Sequence, residues 1–144
     1  MIEQVQTQRT TEQQQALVQA CRCAKICEDF RGRDTLVLDM VGVTPIFDYF
    51  VITTGTNRRQ MHALADEVSK TQRSTGQAKR GSEGYDESTW IVQDYGDIVL
   101  HVFTEESRET YDLESLWADA KRVDWQSVLE DSDTDNRTDE ETVN

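Results

Sequence analysis

The stretch Asp48-Tyr-Phe-Val-Ile-Thr-Thr-Gly-Thr-Asn-Arg-Arg-Gln60 holds the first residues whose order suggests chemistry. An apolar run enters a glycine, a polar turn follows, and Arg58 and Arg59 stand where a helix would begin. A helix N-terminus after such a turn presents free backbone amides to an anion, and two arginines add charge. The segment nevertheless lacks both the Gly-x-Gly-x-x-Gly spacing and the Gly-Lys-Ser/Thr ending of the common phosphate loops.

Gly55-Thr56 does resemble the Gly-Ser turn of nucleotidyltransferases. Those enzymes also need an Asp-x-Asp pair on the following strand, which holds two divalent metals against the triphosphate. Here the following run, "QAKRGSE", offers Glu83 and no second acid at alternate spacing, and Asp94 and Asp97 stand three apart in a turn. The expectation is therefore a tight turn at Gly55 with Asn57 capping a helix, no catalytic residue, no metal and no cofactor. A metal-dependent nucleotidyltransferase is the enzyme alternative. The two histidines add little: His62 falls on a helix, and His101 alternates with Val99 and Phe103 on one strand face without a nucleophile motif. Cys21, Cys23 and Cys27 crowd one segment, which argues against a disulfide framework. On a helix Cys23 and Cys27 share a face and Cys21 points elsewhere, so they are expected to pack as small apolar side chains rather than bind metal.

These residues need elements to hold them. The 144-residue chain reads as one folded domain. Residues 1–10 are expected to form a flexible lead. Thr11 and Gln14 fit a capping box that opens a helix to about Phe30. "TLVLDMV" is a strand, and Phe47 to Thr54 is a second, apolar on both faces and therefore central. A helix with Met61, Leu64, Ala65 and Val68 on one stripe runs to about Gly76. "QAKRGSEG" is a weak strand or loop. Thr89–Gln93 and Ile98–Thr104 form a hairpin around Asp94-Tyr-Gly-Asp97. Thr104 caps a short helix, and Leu113, Leu116 and Trp117 continue an apolar surface in a second piece. The order α-β-β-α-β-β-β-α predicts an α/β fold, a mixed sheet of about five strands with flanking helices. The domain is expected over 11–123, followed by an acidic, disordered tail over 124–144.

Charge narrows the partners. The formal net charge is −13, of which residues 124–144 hold eight acids against one Arg. Nucleic-acid backbones repel such a chain, because binding them requires Lys and Arg to displace counterions. A basic protein partner suits it. No run approaches ~18 apolar residues, and the N-terminus has no apolar core of a secretory signal. A soluble protein of the bacterial cytoplasm is expected.

Taken in order, Asp48-Tyr-Phe-Val-Ile, Thr54-Gly55, Glu83-Gly84, Trp90-Ile-Val92, Asp94-Tyr-Gly-Asp97, His101-Val-Phe103 and Arg108 through Trp117 resemble the ribosomal silencing factor family, RsfS, also called Iojap. The match covers about Leu36 to Val123, less Thr71 to Ser82. The resemblance implies a nucleotidyltransferase-like α/β domain without its catalytic acids, acting as a translational repressor and not as an enzyme. Family members bind the large ribosomal subunit through large-subunit ribosomal protein fourteen and sterically keep the small subunit from joining when nutrients are scarce. By the same resemblance the contact surface involves Trp90, Asp94, Tyr95, Gly96 and Asp97, with Glu83 and Gly84 alongside. Little direct nucleic-acid contact and no membrane are expected. Tyr111 and Trp117 are expected to pack the last helices. A self-associating scaffold, a homodimer through the hairpin aromatics, is the third reading.

Overall fold

Capping decides where the chain first becomes helical. In the structure, a computed structural model that describes residues 9–133, Thr10 and not Thr11 closes the capping box. Its hydroxyl accepts from the Gln13 amide at 3.0 Å, and the Gln13 side chain accepts from the Thr10 amide at 3.0 Å. Helix α1 then spans Thr11–Asp29. Arg9, expected in a flexible lead, is tied down: it pairs with Asp39 and donates to the Tyr49 hydroxyl. Residues 1–8 of that lead lie outside the described residues.

The chain continues through β1 (Arg33–Asp39), β2 (Tyr49–Thr54), α2 (Arg58–Ser74), β3 (Gly81–Glu83), β4 (Trp90–Asp94) and β5 (Ile98–Phe103). Two short helices follow, α3 (Glu105–Tyr111) and α4 (Leu113–Leu116), and then β6 (Lys121–Val123). Among the described residues the sheet has six strands in the order β3-β4-β5-β2-β1-β6. Only β2 and β5 pair in parallel; the other neighbours are antiparallel. The expected mixed α/β sheet is present, with one strand more than the five anticipated. β6 escaped notice because three residues, two of them charged, show no periodicity; its edge position leaves Lys121 and Arg122 exposed.

Every residue of β2 and β5 is buried, as befits central strands covered on both faces. One face carries α1 and α2. There Tyr49, Val51, Leu100 and Val102 meet Leu17, Ala20, Leu64 and Val68. All three cysteines are fully buried in this layer as free thiols, so Cys21, expected to point away from its neighbours, packs with them. α1 touches β1, β2 and α2 at once, so its buried stripe is wider than one helical face. The opposite face holds Leu38, Phe50, Ile52, Val99 and Phe103, and Met40, Leu113, Ala120 and several half-buried aliphatic and aromatic side chains close it.

The chain after Val123 departs from expectation. Residues 125–133 are helical, where a disordered tail was expected from 124. Asp124 opens the helix, its carboxylate accepting from the Ser127 amide at 3.3 Å. Trp125 is buried, donates its indole N–H to the Thr35 carbonyl at 3.4 Å, and joins the helix-covered core with Val128 and Leu129 beside it. The acidic average over 124–144 hid this i, i+3, i+4 pattern. Residues 134–144 lie outside the described residues.

If that helix is a packed part of the domain, Trp125→Ala should lower unfolding stability by roughly 3 kcal/mol, read by urea denaturation. Unchanged stability would show that the helix adds nothing to the core.

Candidate protein-docking face

β4 distributes its side chains by pleat. Ile91, Gln93 and Tyr95 turn toward α2, whereas Trp90, Val92 and Asp94 turn toward the thinly covered face. Trp90 is the centre of that face. Its ring lies 4.9 Å from Phe103 and 4.8 Å from Tyr111 between centroids. Its indole N–H donates to His101 Nδ1 at 3.1 Å. His101 in turn meets Phe50 edge-on at 4.6 Å, and Phe50 contacts Phe47 at 5.4 Å and Trp117 at 6.2 Å. The result is a continuous row of rings across β4, β5 and β2. Trp90 and Trp117 are half-buried, Tyr111 is 55 % exposed, and Ile46 and Leu116 stand out at 70 % and 69 %.

The indole fixes the His101 tautomer. An indole N–H can only donate, so Nδ1 is unprotonated and the neutral ring carries its proton on Nε2. Burial pushes the His101 pKa down to about 4. The imidazole is thus a neutral spacer between aromatic rings and not a base.

Gly84 shapes the approach to Trp90. It has φ +80°, and a Cβ there would lie 2.0 Å from the Trp90 carbonyl oxygen, so no other residue fits. The loop behind it is pinned by His62, whose ring stacks on Tyr85 at 3.9 Å. His62 Nε2 is 2.8 Å from the Tyr85 carbonyl and 2.9 Å from Ser88 Oγ. A carbonyl only accepts, so Nε2 carries the proton and donates. This Ser–His pair therefore cannot act as a nucleophile and its base; it is a clamp.

The sequence-derived contact residues fall in two places. Glu83, Gly84 and Trp90 come together, because β3 pairs with β4 in the register Glu83↔Val92. The turn Asp94–Asp97 lies at the other end of β4, about 13 Å from Trp90 at ~3.3 Å per residue. Asp94 is committed to that turn, accepting from the Gly96 amide at 2.7 Å, while Asp97 is exposed. Tyr95 is corrected: it is 2 % exposed, with its hydroxyl donating to Gln93 at 2.7 Å, so its side chain does not face a partner. Its place on the helix side follows from the same alternation that puts Trp90 on the open side. Tyr111, read from sequence as packing, lies against Trp90 and is open to solvent. Phe47, Phe50 and Trp117 were missed as its neighbours, although the β4–β5 and β2–β5 registers that align them are set by period-2 strands.

The Gly55 turn is filled by its own side chains. Gln60 Oε1 accepts from both the amide and the hydroxyl of Thr56, at 2.6 and 2.7 Å, and Asn57 caps the Gln60 amide. Gln60 Nε2 donates to the Phe30 and Arg31 carbonyls. Gly55 is required there, since a Cβ would meet Met61 Cγ at 2.5 Å. Among the described residues, no group of three His, Cys, Asp or Glu side chains is placed to hold a metal ion.

Known proteins resemble this chain over most of its length. The family model described as "Ribosomal silencing factor during starvation" matches residues 11–144. The ribosomal silencing factor RsfS of Bacillus subtilis is 41 % identical over 101 residues, covering 70 % of this chain and 86 % of that protein. A crystal structure of a Chromobacterium violaceum protein superposes with a TM-score of 0.65 at 35 % identity, covering 69 % of this chain and 83 % of the other. The mouse protein named "Mitochondrial assembly of ribosomal large subunit protein 1" is 38 % identical over 91 residues, covering 60 % of this chain and 39 % of its own.

Burial of neutral His101 makes stability depend on pH. Its folded pKa lies below the ordinary 6.5, so the unfolded chain binds the extra proton. The stability is complete above pH 6.5 and is lost as pH falls toward 4. Between pH 7 and pH 5 the protein should lose roughly 2 kcal/mol more than His101→Gln does, by urea titration. Equal losses in the two proteins would remove this role from His101.

Proposed function

The chain belongs to the ribosomal silencing factor family, and on that premise we propose that it represses translation by binding the large ribosomal subunit and occupying space that the small subunit needs. The contact runs through large-subunit ribosomal protein fourteen, and no reaction is catalysed. It acts in the bacterial cytoplasm. The observation that carries this reading is the ring-lined face centred on Trp90, left half-open beside Tyr111, Trp117 and Leu116. Buried aromatic anchors ringed by polar residues are what protein interfaces use for affinity.

Each part of the face has a task. Trp90 is held rigid by Phe103, Tyr111 and the His101 hydrogen bond, so little rotamer freedom is lost on docking. Gly84 lets the 83–88 loop lie against the Trp90 backbone and brings Glu83 to the rim. Exposed Asp97, with Asp94 and Gly96 shaping its turn, offers a carboxylate to Lys or Arg of a basic ribosomal protein. Tyr95 supports that turn from within. A steric block needs affinity and bulk alone, which is why a filled Gly55 turn is no handicap. The exposed Ile46 and Leu116 favour a second occupant of the same face, another copy of this chain, which would then compete with the ribosome.

Co-sedimentation with isolated large subunits tests the reading. The unaltered chain should pellet with them. Trp90→Ala and Tyr111→Ala should each weaken binding by about tenfold or more while circular dichroism stays that of the folded chain. Asp97→Arg should weaken it more at low salt than at high salt. Failure to pellet, or binding untouched by Trp90→Ala combined with Asp97→Arg, would defeat it. A dimer in light scattering that does not compete with the subunits would defeat the shared-face reading alone.

A further inference from the structure

Tyr111 reaches the aromatic face from the end of α3, a helix of seven residues none of which is buried. So short a helix does not persist alone, since isolated helices are marginal in water below roughly 12–15 residues. The Thr104 cap fixes its first turn. There the hydroxyl accepts from the Ser107 amide at 3.1 Å, and the Thr104 amide donates to the Thr89 carbonyl at 3.0 Å. The last turn, which carries Tyr111, has no seat in the core and needs a tie of another kind.

Arg108 supplies it. Its side chain is only 12 % exposed and touches three other elements. Nη1 donates to Thr54 Oγ1, at the end of β2, at 2.9 Å, and to the Arg33 carbonyl, at the start of β1, at 3.5 Å. Nε donates to Glu114 Oε2 on α4 at 3.4 Å, which makes an ion pair. The other Glu114 oxygen is sealed from solvent and has no hydrogen-bond partner among the described residues, so Arg108 is what compensates this carboxylate. The link to α4 is also covalent and short. Asp112, at φ 45°, turns the chain, and its carboxylate accepts from the Ser115 amide at 3.4 Å to open α4. One guanidinium thus ties both short helices to the carboxyl end of β2. Those helices carry Tyr111 and Leu116 and lead into Trp117. Tyr111 stands three residues after Arg108, on the neighbouring helical position, with its ring 4.8 Å from Trp90.

We propose that Arg108 is the positioning residue of the docking face: it holds α3 so that Tyr111 lies against Trp90 and completes the aromatic anchor. It acts through Tyr111 and touches no partner itself. This role rests on the reading of that face as the ribosome contact. Lysine cannot replace it. Its single ammonium lacks the planar fork that lets Nε and Nη1 serve α4 and β2 at once.

Two measurements on the full chain test it. In nuclear Overhauser spectra of the unaltered protein, Trp90 ring protons should give cross-peaks to Tyr111 and to Phe103, whose rings lie 4.8 and 4.9 Å away. Arg108→Lys should lose the Tyr111 cross-peaks and keep those to Phe103. Arg108→Met made together with Glu114→Met, which leaves no carboxylate alone, should do the same. In co-sedimentation with isolated large subunits, both variants should bind about tenfold more weakly. That loss should overlap with the loss from Tyr111→Ala: adding Tyr111→Ala to either variant should cost less than about twofold more, whereas adding Asp97→Arg should cost its full amount. A residue that only stabilises the fold would add in full to both. Tyr111–Trp90 cross-peaks that persist overturn the proposal, as do unchanged binding and a loss that adds fully to that of Tyr111→Ala. Loss of the Trp90–Phe103 cross-peaks in both variants overturns it too, because Arg108 then supports the whole fold. The spectra are read without ribosomes. Should the unaltered chain fail to pellet, the ribosome reading falls, and the cross-peaks alone decide whether Arg108 places Tyr111.

Discussion

The two faces of the sheet must both be dry at its centre, yet the long helices cover only one of them. β2 and β5 are buried along their whole length, so their outward side chains on the second face need cover from elsewhere. That cover comes from α3, α4 and the loop carrying Phe47. None of these is large. Met40, Leu113 and Ala120 are the residues of this cover that are buried. What remains half-open is a row of aromatic rings. Rings tolerate this position well, because they bury large areas on their flanks while leaving an edge or face available. The open aromatic face is therefore a consequence of the helix placement, and a partner that covers it completes the packing.

His101 shows how closely this face is set. A hydrophobic residue at that position would fill the same space but would not accept the Trp90 N–H. A charged imidazolium could not accept it either. Only the neutral tautomer with Nδ1 free serves, and burial between Phe50, Trp90 and Phe103 enforces it. The polarity of one ring nitrogen thus orients the residue on which the proposed docking depends.

Much of this was legible in the sequence where a pattern spans enough residues to declare itself. The hairpin, both central strands and the stripe of α2 follow from β-rich alternation, from a run apolar on both faces and from a period of 3.6. The failures are equally physical. β6 and the helix over 125–133 are short or embedded in an acidic segment, and tertiary contacts at Trp125 override the local composition. The capping box slipped by one residue because Thr10 and Thr11 are adjacent, each with a Gln three places on. The site was half legible: Trp90 and the turn were singled out, but which of them face outward depends on pleat, and Tyr95 fell on the wrong side. The aromatic neighbours of Trp90 come from β5, β2, the loop before β2, α3 and the residue after α4, and such convergence is set by register, which one sequence states only indirectly.

The pleat of β4 also explains how one short strand serves both an open face and a helix-covered core. Trp90 and Val92 face the open side, and Gln93 and Tyr95 face α2. A slip of one residue would exchange every one of these environments, placing an indole among the helices and an amide on the docking face. Pairing on both edges, with β3 and with β5, prevents it. Gly84 locks the β3 side, since its close approach to the Trp90 carbonyl oxygen leaves no room for a larger residue, and the Asp94 carboxylate locks the turn at the far end. The strand is thereby fixed at both termini, and Asp97, at the end of that turn, stays open to solvent.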